Sequence, residues 1–388
     1  MSRETFIPDE ACMRKAISLA LKGSGHVNPN PLVGAVIVRD GEILGQGYHA
    51  CYGQAHAERN AIADAAARGA DLSGSTIYVT LEPCCHHGKQ PPCTDALIEA
   101  GISRVVVGSD DPNPLVSGKG FEILRSHGIE VIPHFLKEEC DRINDVFFHY
   151  IRTGSPFVAM KYAMTMDGKI CCRTGDSKWV TGEAARGHVQ QLRNHYRGIM
   201  VGIGTVLADD PTLSCRMEGG RDPVRIVADS HLRIPLESNL VRTAERQPLI
   251  VACLPEPFGG RQDEAEDRIR LLEEKGVKVL RIPAEEGKES IDLRLLTEAL
   301  GREKVDGILL EGGGSLNESA LRAGLVNKVY CYIAPKIFGG RDAKTPVEGL
   351  GTALARDAWM FRRTAVSSFG DDLLIEYSRK GEVCLQES

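Results

Sequence analysis

Apolar and polar residues alternate over short stretches in the first part of the chain. The segment PLVGAVIVRDGEILGQGYH, residues 31–49, predicts two strands that turn at Asp40-Gly41, a residue pair typical of hairpins. The alanine-rich segment 55–70 predicts a helix, and STIYVTLEPCC, residues 75–85, predicts a strand that ends at a pair of cysteines. This part of the chain therefore begins as a hairpin, a helix and a further strand.

The pattern then changes to strand, loop, helix and strand over residues 104–132, which is typical of a βαβ unit. A single helix is predicted over residues 137–154, and Gly154-Ser155-Pro156 is the expected boundary between two domains. We expect an α/β fold, with one domain over residues 1–150 and a second over 151–388.

The second half carries a new series of apolar runs with helical stretches between them. Seven or more strands of a mostly parallel sheet are predicted within PFVAMKYAMTMDGKI, GIMVGIGTVLADD, PVRIVADS, PLIVACL, VKVLRI, DGILLEGGGSLN, KVYCYIAPKIFGG and DLLIEYS. In ILLEGGGSLN a buried strand runs into three glycines and then a helix, an arrangement whose backbone N–H groups can hold a diphosphate.

Length and composition indicate a cytoplasmic protein of more than one domain. The chain has 388 residues, enough for two or three domains, and no run of eighteen apolar residues that would predict a transmembrane helix. Its start lacks the pattern of a signal peptide and predicts an amphipathic helix beginning at Pro8-Asp9-Glu10. Twelve cysteines without a secretion signal favour reduced thiols in the cytosol over disulfides.

The charge is distributed unevenly. Residues 1–150 contain 13 Lys/Arg and 19 Asp/Glu, whereas the remaining residues contain 34 of each. A protein that acts on RNA or DNA needs a basic face for the phosphate backbone. The acidic first half therefore favours a small-molecule substrate and argues against a nucleic-acid partner.

One group of residues predicts a hydrolytic zinc centre. His56 is followed two residues later by Glu58, and Cys84 comes after Pro83 at the end of a predicted strand. A histidine, two cysteines and an open fourth position suit a catalytic zinc ion, and a nearby glutamate that is not a ligand suits the general acid–base role in zinc deaminases. We expect His56, Cys84 and Cys93 as ligands and Glu58 as the catalytic residue.

The spacing of the cysteines leaves alternatives open. The short deaminase pattern is P-C-x-x-C, but here Cys93 follows nine positions after Cys84, and His87 stands where the second cysteine of the short form would be. We prefer Cys93 because Pro92-Cys93-Thr94-Asp95 opens a predicted helix. A structural site closed by Cys85 or His87 as a fourth ligand is the non-enzymatic alternative.

The motifs TLEPCCHHGKQPPC, NPNPLVGAVIV, HAE and DPNPLVSGKG, in this order, closely resemble the bifunctional deaminase–reductases of riboflavin biosynthesis. In the second half, MDGKI, TGDSKWVTG, GTVLADDPTLSCR and EGGGSLN extend the resemblance to nearly the whole chain. The resemblance implies a cytidine-deaminase-like α/β/α domain followed by a dihydrofolate-reductase-like α/β domain. It also implies a homo-oligomer, either a dimer or a tetramer, and the cofactors Zn2+ and NADPH.

The family's binding residues carry over position by position. For the deaminase substrate the resemblance implies Asn30, His49, His86, Lys89, Asp111 and Asn113. For NADPH it implies Ala163, Trp179, Thr205, Asp209, Ser230, Gly313, Gly314, Ser315, Leu316, Asn317, Glu318 and Ser319. For the reductase substrate it implies Lys161, Ser177, Arg193, Leu213, Arg216 and Glu311.

The reaction implied is the hydrolytic deamination of 2,5-diamino-6-ribosylamino-4(3H)-pyrimidinone 5′-phosphate, followed by NADPH-dependent reduction of its ribosyl group to ribityl. Arg193, Arg216 and Lys161 have the charge to bind a phosphate, and His86 and Lys89 stand beside the metal ligands in sequence. A nucleic-acid-editing zinc deaminase with an accessory domain is the alternative enzyme, and the acidic first half argues against it.

Overall fold

The chain divides into two compact units, and the division falls between Thr153 and Gly154. The structure, a computed structural model, describes residues 6–380. The sequence places the boundary at Gly154-Ser155-Pro156, next to the observed division. Each unit contains its own β-sheet.

The first unit is a mixed sheet with helices. Its strands are β1 Gly34–Arg39, β2 Glu42–Tyr48, β3 Thr76–Leu81, β4 Arg104–Ser109 and β5 Glu130–Ile132. Its helices are α1 Glu10–Ala20, α2 Ala57–Ala67, α3 Cys93–Glu99, α4 Lys119–Ser126, α5 Lys137–Arg142 and α6 Asp145–Thr153. The strand order is β2-β1-β3-β4-β5. The predicted hairpin is confirmed as antiparallel β1 and β2, while β3, β4 and β5 run parallel.

Alternate residues of these strands pack against helices on opposite faces of the sheet, because successive side chains of a strand point in opposite directions. Ile77 and Val79 of β3 pack in one cluster with the alanines of α2 and with Leu97 of α3. Tyr78, between them, packs on the other face with Met13 of α1 and with Cys140 of α5. All six residues of β3 are buried, and the unit is a three-layered α/β/α arrangement.

The helix α2 lies unusually close to the hairpin strand β2, and glycine makes this possible. A Cβ atom on Gly47 would stand 2.6 Å from the carbonyl oxygen of Ala57, and one on Gly45 would stand 2.8 Å from the Cβ of Ala65. Both separations are below the contacts that real Cβ atoms make, so only glycine fits. The small faces of strand and helix thereby fix where α2 begins.

The single helix predicted over residues 137–154 is wrong, because the structure contains two helices that are interrupted at Asn144. The Asn144 side chain is buried and pairs with both backbone groups of Leu32: its Oδ1 accepts from Leu32 N at 2.8 Å and its Nδ2 donates to Leu32 O at 2.9 Å. A partner 112 residues away leaves no trace in the local sequence pattern.

The second unit is a larger, mostly parallel sheet. Its strands are β6 Phe157–Thr165, β7 Gly198–Gly202, β8 Val224–Ala228, β9 Leu249–Cys253, β10 Val277–Arg281, β11 Gly307–Leu310, β12 Val326–Ala334, β13 Phe361–Phe369 and β14 Asp372–Arg379. Its helices are α7 Glu183–His195, α8 Ile203–Asp209, α9 Asn239–Arg242, α10 Gln262–Glu274, α11 Leu293–Arg302 and α12 Gly314–Arg322. The order is β10-β9-β8-β7-β11-β6-β12-β14-β13, and β14 and β13 are antiparallel to their neighbours.

Two sequence expectations for this unit need correction. The run GIMVGIGTVLADD is not one strand, because β7 ends at Gly202, which is the N-cap of α8. The strand β13 was not predicted at all. Its residues are mostly exposed on both faces, so it lacks the alternation of a half-buried strand.

Within residues 6–380, no helix has both the length and the apolar character needed to cross a bilayer. The eleven cysteines in this range are free thiols, and the twelfth, Cys384, lies outside the described residues.

The close packing of α2 on β2 predicts the effect of adding one methyl group. Gly47→Ala should destabilise the first unit by about 1–3 kcal/mol, since the new Cβ meets helix backbone that cannot move aside freely. Gly187→Ala in α7 is the control, because no atom lies within 4 Å of its Cβ position. Hydrogen exchange of first-unit amides measures the loss. Unchanged protection in Gly47→Ala would contradict this account of the packing.

Candidate functional site

Three predicted metal ligands converge in the first unit. His56 Nδ1 lies 3.5 Å from Cys84 Sγ and 3.4 Å from Cys93 Sγ, and the three ligand atoms all lie within 4.8 Å of one another. His56 is the N-cap of α2, Cys84 follows the end of β3, and Cys93 is the first residue of α3. Two helix starts and one strand end therefore meet at a point.

The local backbone holds this geometry. The carbonyl of Cys84 accepts hydrogen bonds from the N–H groups of Cys93 at 3.0 Å and Thr94 at 3.2 Å, which closes the loop between the two cysteines. The N–H of Cys93 also lies 3.4 Å from Cys84 Sγ. Hydrogen bonds from Cys93 lower the pKa of the Cys84 thiol, and His56 adds to the effect. The cluster therefore favours a thiolate at Cys84.

The residues fit a zinc ion. Tetrahedral bonds of about 2.0–2.1 Å to nitrogen and about 2.3 Å to sulfur place the two ligand atoms about 3.5 Å apart. The His56-to-cysteine distances in the structure match this value. His87, the alternative third ligand, is exposed and lies outside the cluster. Cys85 instead donates its thiol to the carbonyl of Leu115 at 3.7 Å.

Glu58 lies beside the cluster in the first turn of α2, and its side chain is buried. Burial, followed by the negative charge of Cys84, raises the pKa of Glu58 to about 7, and His56 opposes the rise. A carboxyl group with a pKa near neutrality can both accept and return a proton, as a general acid–base catalyst must.

His49 and Asn30, both predicted to bind substrate, form a pair next to the metal ligands. The His49 ring lies 5.2 Å from the His56 ring, edge to face. Its Nδ1 is 3.1 Å from the carbonyl of Ala55, and its Nε2 is 3.2 Å from Asn30 Nδ2. A carbonyl only accepts, so Nδ1 carries the proton and Nε2 accepts from the Asn30 amide. The amide oxygen of Asn30 is left available as an acceptor.

The loop between Cys84 and Cys93 carries the predicted phosphate partners. The Lys89 ammonium lies 4.0 Å from the centre of the Tyr52 ring. His86 is half-buried, and its Nδ1 makes no hydrogen bond although it is shielded from solvent. Between the two cysteine ligands in the sequence, the loop therefore carries one positive charge and one unsatisfied imidazole nitrogen.

Asp111 and Asn113 lie on the loop that follows β4, and they come after all three metal ligands in the sequence. Asp111 is buried, and its Oδ1 accepts from Asn113 N at 2.9 Å. Burial raises the pKa of Asp111 to about 6, against the hydrogen bond from Asn113. Glu82, which sequence reasoning did not single out, accepts two N–H groups from the end of the same loop.

In the second unit, three predicted substrate residues form a buried ion cluster. Arg193 Nε and Nη2 donate to the two oxygens of Glu311 at 2.8 and 3.1 Å, and Lys161 Nζ lies 3.7 Å from Glu311 Oε2. Lys161 is on β6, Arg193 is in the last turn of α7, and Glu311 directly follows β11. The sequence indicated three separate binding residues, whereas the structure brings them into mutual contact.

The charged groups of this cluster shift one another's pKa values. Burial alone would raise the pKa of Glu311, but the charges of Arg193 and Lys161 and their hydrogen bonds outweigh it and hold the pKa at about 2. Burial lowers the pKa of Lys161, and Glu311 limits the decrease. Glu311 is therefore ionised and neutralises two cations that would otherwise repel each other.

Comparison with known proteins gives a family model for each unit. Residues 156–375 match the family model "RibD C-terminal domain", and residues 7–109 match "Cytidine and deoxycytidylate deaminase zinc-binding region". Riboflavin biosynthesis protein RibD of Actinobacillus pleuropneumoniae is 51% identical over 365 residues, which cover 94% of each chain. The protein of the same name from Escherichia coli (strain K12) is 37% identical, over 95% of this chain and 98% of that one.

This chain belongs to the RibD family. A solved relative is the diaminohydroxyphosphoribosylaminopyrimidine deaminase/5-amino-6-(5-phosphoribosylamino)uracil reductase from Thermotoga maritima, with 38% identity, a TM-score of 0.82, and coverage of 95% of this chain and 98% of that chain. As a RibD protein, the chain is a bifunctional deaminase and reductase of riboflavin biosynthesis, and Zn2+ and NADPH are its cofactors. The expectations of fold class and function drawn from the sequence are confirmed.

The RibD reductase unit offers a cradle for the phosphates of NADPH. Gly202 and Gly313 are the N-cap residues of α8 and α12. Because glycine has no side chain, neither residue caps the first N–H groups of its helix. The Cβ position of Gly313 is 3.9 Å from Thr205 Oγ1, and that of Gly202 is 3.7 Å from the Cβ of Leu316, so the two helix starts lie side by side. Free N–H groups at two adjacent helix starts suit a diphosphate.

The predicted cofactor residues 313–319 differ in how far their side chains are exposed. Ser315 is exposed, and Gly313, Leu316 and Ser319 are partly exposed. Asn317 and Glu318 face the interior: Asn317 Nδ2 donates to the carbonyl of Pro346 at 2.8 Å, and Glu318 pairs with Arg322 at 3.2 Å. The Asn317 side chain therefore ties the first half of α12 to the segment at Pro346, whereas the Glu318 pair lies within the helix.

The other predicted RibD reductase residues are dispersed around the loops. Trp179 is 57% exposed and lies 4.5 Å from the Arg186 guanidinium, while Ser230 accepts from Ile291 N at 3.1 Å. The Leu213 side chain packs in the hydrophobic core, so a ligand would meet only its backbone. The remaining members are Ala163 on β6, Asp209 at the end of α8, half-buried Ser177, and Arg216, which is exposed.

The ligand geometry predicts which residue of the long cysteine loop holds zinc. Cys93→Ala should weaken zinc binding by more than about 100-fold, since changes in the ligands' surroundings alone cost about 10–100-fold. His87→Ala, in the same loop, should retain the metal because His87 is exposed and outside the cluster. Metal analysis after dialysis decides. Zinc loss in His87→Ala with retention in Cys93→Ala would reverse the ligand assignment.

The ion cluster predicts a pH dependence for the second unit. Because the pKa of Glu311 is held at about 2, below its ordinary value, ionised Glu311 stabilises the folded state above about pH 4.5, and this contribution is lost as the pH falls toward 2. The shift corresponds to about 3 kcal/mol. The free energy of unfolding should therefore differ between parent and Glu311→Gln by about this much at pH 6, and the difference should shrink below pH 4.5.

Tryptophan fluorescence during urea unfolding measures this difference, since both tryptophans, Trp179 and Trp359, lie in the second unit. Glu298→Gln removes an exposed carboxylate on α11 and is the control. A difference between parent and Glu311→Gln that stayed constant down to pH 2.5 would refute the role assigned to the ionised carboxylate.

Proposed function

We propose that residues 1–150 form the deaminase domain and residues 151–388 the reductase domain, and that they act in succession on one phosphoribosyl pyrimidine. The first substrate is 2,5-diamino-6-ribosylamino-4(3H)-pyrimidinone 5′-phosphate. The observation that carries the deaminase half is the His56, Cys84 and Cys93 triangle with the buried carboxyl group of Glu58 beside it. The names of the solved and curated relatives support the substrate.

The deamination consumes water and releases ammonia. His56, Cys84 and Cys93 would hold the zinc ion, which would lower the pKa of a water molecule toward neutrality. Glu58 accepts the proton of that water at its carboxylate as a C–O bond forms at the amine-bearing ring carbon. It then donates the proton to the departing nitrogen as the C–N bond breaks. The pKa of about 7 that burial gives to Glu58 suits both transfers.

The proposed recognition residues surround this centre. The amide oxygen of Asn30, left available by the hydrogen bond to His49, accepts from a pyrimidine N–H group. His86 and Lys89 bind the phosphate, and Asp111 and Asn113 hold the ribose. The acidic balance of the first half supports a small substrate and no nucleic-acid partner.

In the reductase domain NADPH supplies the hydride. Gly313, the first turns of α12 as far as Ser319, and the start of α8 bind its phosphates, and Lys161, Arg193 and Glu311 meet the ribosyl substrate. Arg193 already uses three donors on Glu311 and on the carbonyl of Ser214. Lys161, with one ion pair of 3.7 Å, retains donors for the sugar hydroxyls. Arg193 and Glu311 therefore chiefly orient Lys161.

We also propose a cytoplasmic homo-oligomer, either a dimer or a tetramer. The free thiols support the reducing compartment, because the two cysteine ligands must remain reduced to bind metal. The resemblance to the family supports the assembly, and light scattering of the purified chain measures it.

Replacing the proposed catalytic residue separates catalysis from metal binding. Glu58→Gln should lower ammonia release from the phosphoribosyl pyrimidine by at least about 100-fold, since general acid–base catalysis contributes about 10²–10⁴-fold. Zinc content should remain near that of the parent, because Glu58 is not a ligand. Oxidation of NADPH on the deaminated intermediate should also be unchanged.

Glu42→Gln on the β1–β2 hairpin is the matched control, since Glu42 is exposed. It should leave all three measurements at the parent level. Parent-like ammonia release by Glu58→Gln would rule out Glu58 as the proton carrier.

A further inference from the structure

Glu82 connects the strand that carries a metal ligand to a separate loop. It stands two residues before Cys84, and its side chain is 3% exposed. One carboxylate oxygen, Oε2, accepts from Gly118 N at 3.1 Å, and the other, Oε1, accepts from Gly120 N at 3.1 Å. Its own N–H donates to the carbonyl of Ser109 at 2.9 Å. Both carboxylate oxygens of Glu82 are therefore committed to the chain segment after β4, and its backbone N–H pairs with the last residue of β4.

That segment has a well-defined internal structure. The carbonyl of Asn113 accepts from Val116 N at 2.8 Å and Ser117 N at 3.0 Å, and the Lys119 ammonium donates to the carbonyl of Pro114 at 2.9 Å. Together with the Asp111–Asn113 bond, these contacts hold the shape of the loop. These internal contacts do not fix where the loop lies relative to β3. The two hydrogen bonds to Glu82 hold the loop against the end of that strand.

The approach of the loop to Glu82 is close enough to exclude a side chain. A Cβ atom on Gly120 would stand 3.1 Å from Glu82 Oε1 and closer still to the carbonyl oxygen of Pro83. Gly118 has a φ of 78°, in the left-handed region that favours glycine. The two glycines thus present their N–H groups to one buried carboxylate.

We propose that Glu82 is a positioning residue for the deamination: through Gly118 and Gly120 it sets the distance between the metal-binding strand end and the loop that carries Asp111 and Asn113. The inference rests on the proposed function, in which these two residues contact the ribosyl part of the substrate. Glu82 itself touches neither substrate nor metal. Its loss moves the recognition loop and leaves the metal ligands and Glu58 in place.

A carboxylate suits this task better than an amide of the same shape. Two N–H donors need two acceptors, and an ionised carboxylate offers both oxygens. In Glu82→Gln the amide NH2 faces one of the glycine N–H groups, so one bond is replaced by two opposed donors. Hydrogen bonds to charged groups are also the stronger kind. The substitution therefore displaces the loop at nearly constant side-chain volume.

The test measures ammonia release against the concentration of the phosphoribosyl pyrimidine, with zinc content determined in parallel. We expect Glu82→Gln to raise KM by about 10-fold or more, the effect of losing one hydrogen bond to a charged group, with a smaller change in kcat. Zinc content should stay at the parent level. Glu122→Gln is the matched control, because Glu122 is an exposed glutamate in the first turn of the adjoining helix α4.

A second variant reaches the same loop from its other side. Gly120→Ala leaves Glu82 intact but introduces a Cβ that collides with Pro83 O and crowds Glu82 Oε1. It should also raise KM while zinc is retained, and it decides the matter if Glu82→Gln does not fold. A fall in kcat with loss of zinc and an unchanged KM in either variant would overturn the proposal, as would parent-like kinetics in both.

Asp111→Asn separates failure of this inference from failure of the proposed function. If Asp111→Asn leaves KM unchanged, the substrate contact itself is wrong. If it raises KM and Glu82→Gln does not, only the positioning role is refuted. Because Glu82 acts through the loop, Glu82→Gln should raise KM less in the Asp111→Asn background than alone, and full additivity of the two effects would contradict the coupling.

Discussion

The contact between helix α2 and strand β2 is the constraint on which the metal centre depends. Gly45 and Gly47 remove side chains from the strand, and the alanines of α2 present an equally small face, so the helix axis lies close to the sheet. The start of this helix carries His56 and Glu58. With larger residues at the contact, the same ligands would begin a helix set further from β3, and His56 Nδ1 would no longer reach Cys84 Sγ. Tight packing here sets a distance in the active centre.

The two units use buried charge in different ways. In the first, burial leaves Glu58 with a pKa near neutrality, so its proton is exchangeable at the pH of the cell. In the second, two cations hold Glu311 ionised far below that pH, so its charge is permanent. The same residue type thus has a pKa near neutrality in one unit and is a fixed counter-ion in the other, because the neighbours differ and the burial does not.

The sequence was sufficient where a role depends on local pattern. The start of α3 at Cys93, the hairpin at Asp40-Gly41 and the glycine-to-helix turn before α12 all follow from neighbouring residues. Features that depend on distant partners were missed. Asn144 breaks a predicted helix through Leu32, 112 residues away, and Arg193 meets Glu311 across 118 residues. Glu82 was not singled out, because its glycine partners, Gly118 and Gly120, lie in another segment of the chain.

The loop from Cys84 to Cys93 has a consequence for how such enzymes change substrate. Its two ends are fixed, because Cys84 O accepts the N–H groups of Cys93 and Thr94 and both thiols converge on His56. The residues between them, including His86 and Lys89, carry recognition in the proposed function and no metal ligand. We expect substitutions there to leave the metal ligands in place. The residues between Cys84 and Cys93 can therefore change during evolution, and with them the substrate, while the metal ligands stay the same.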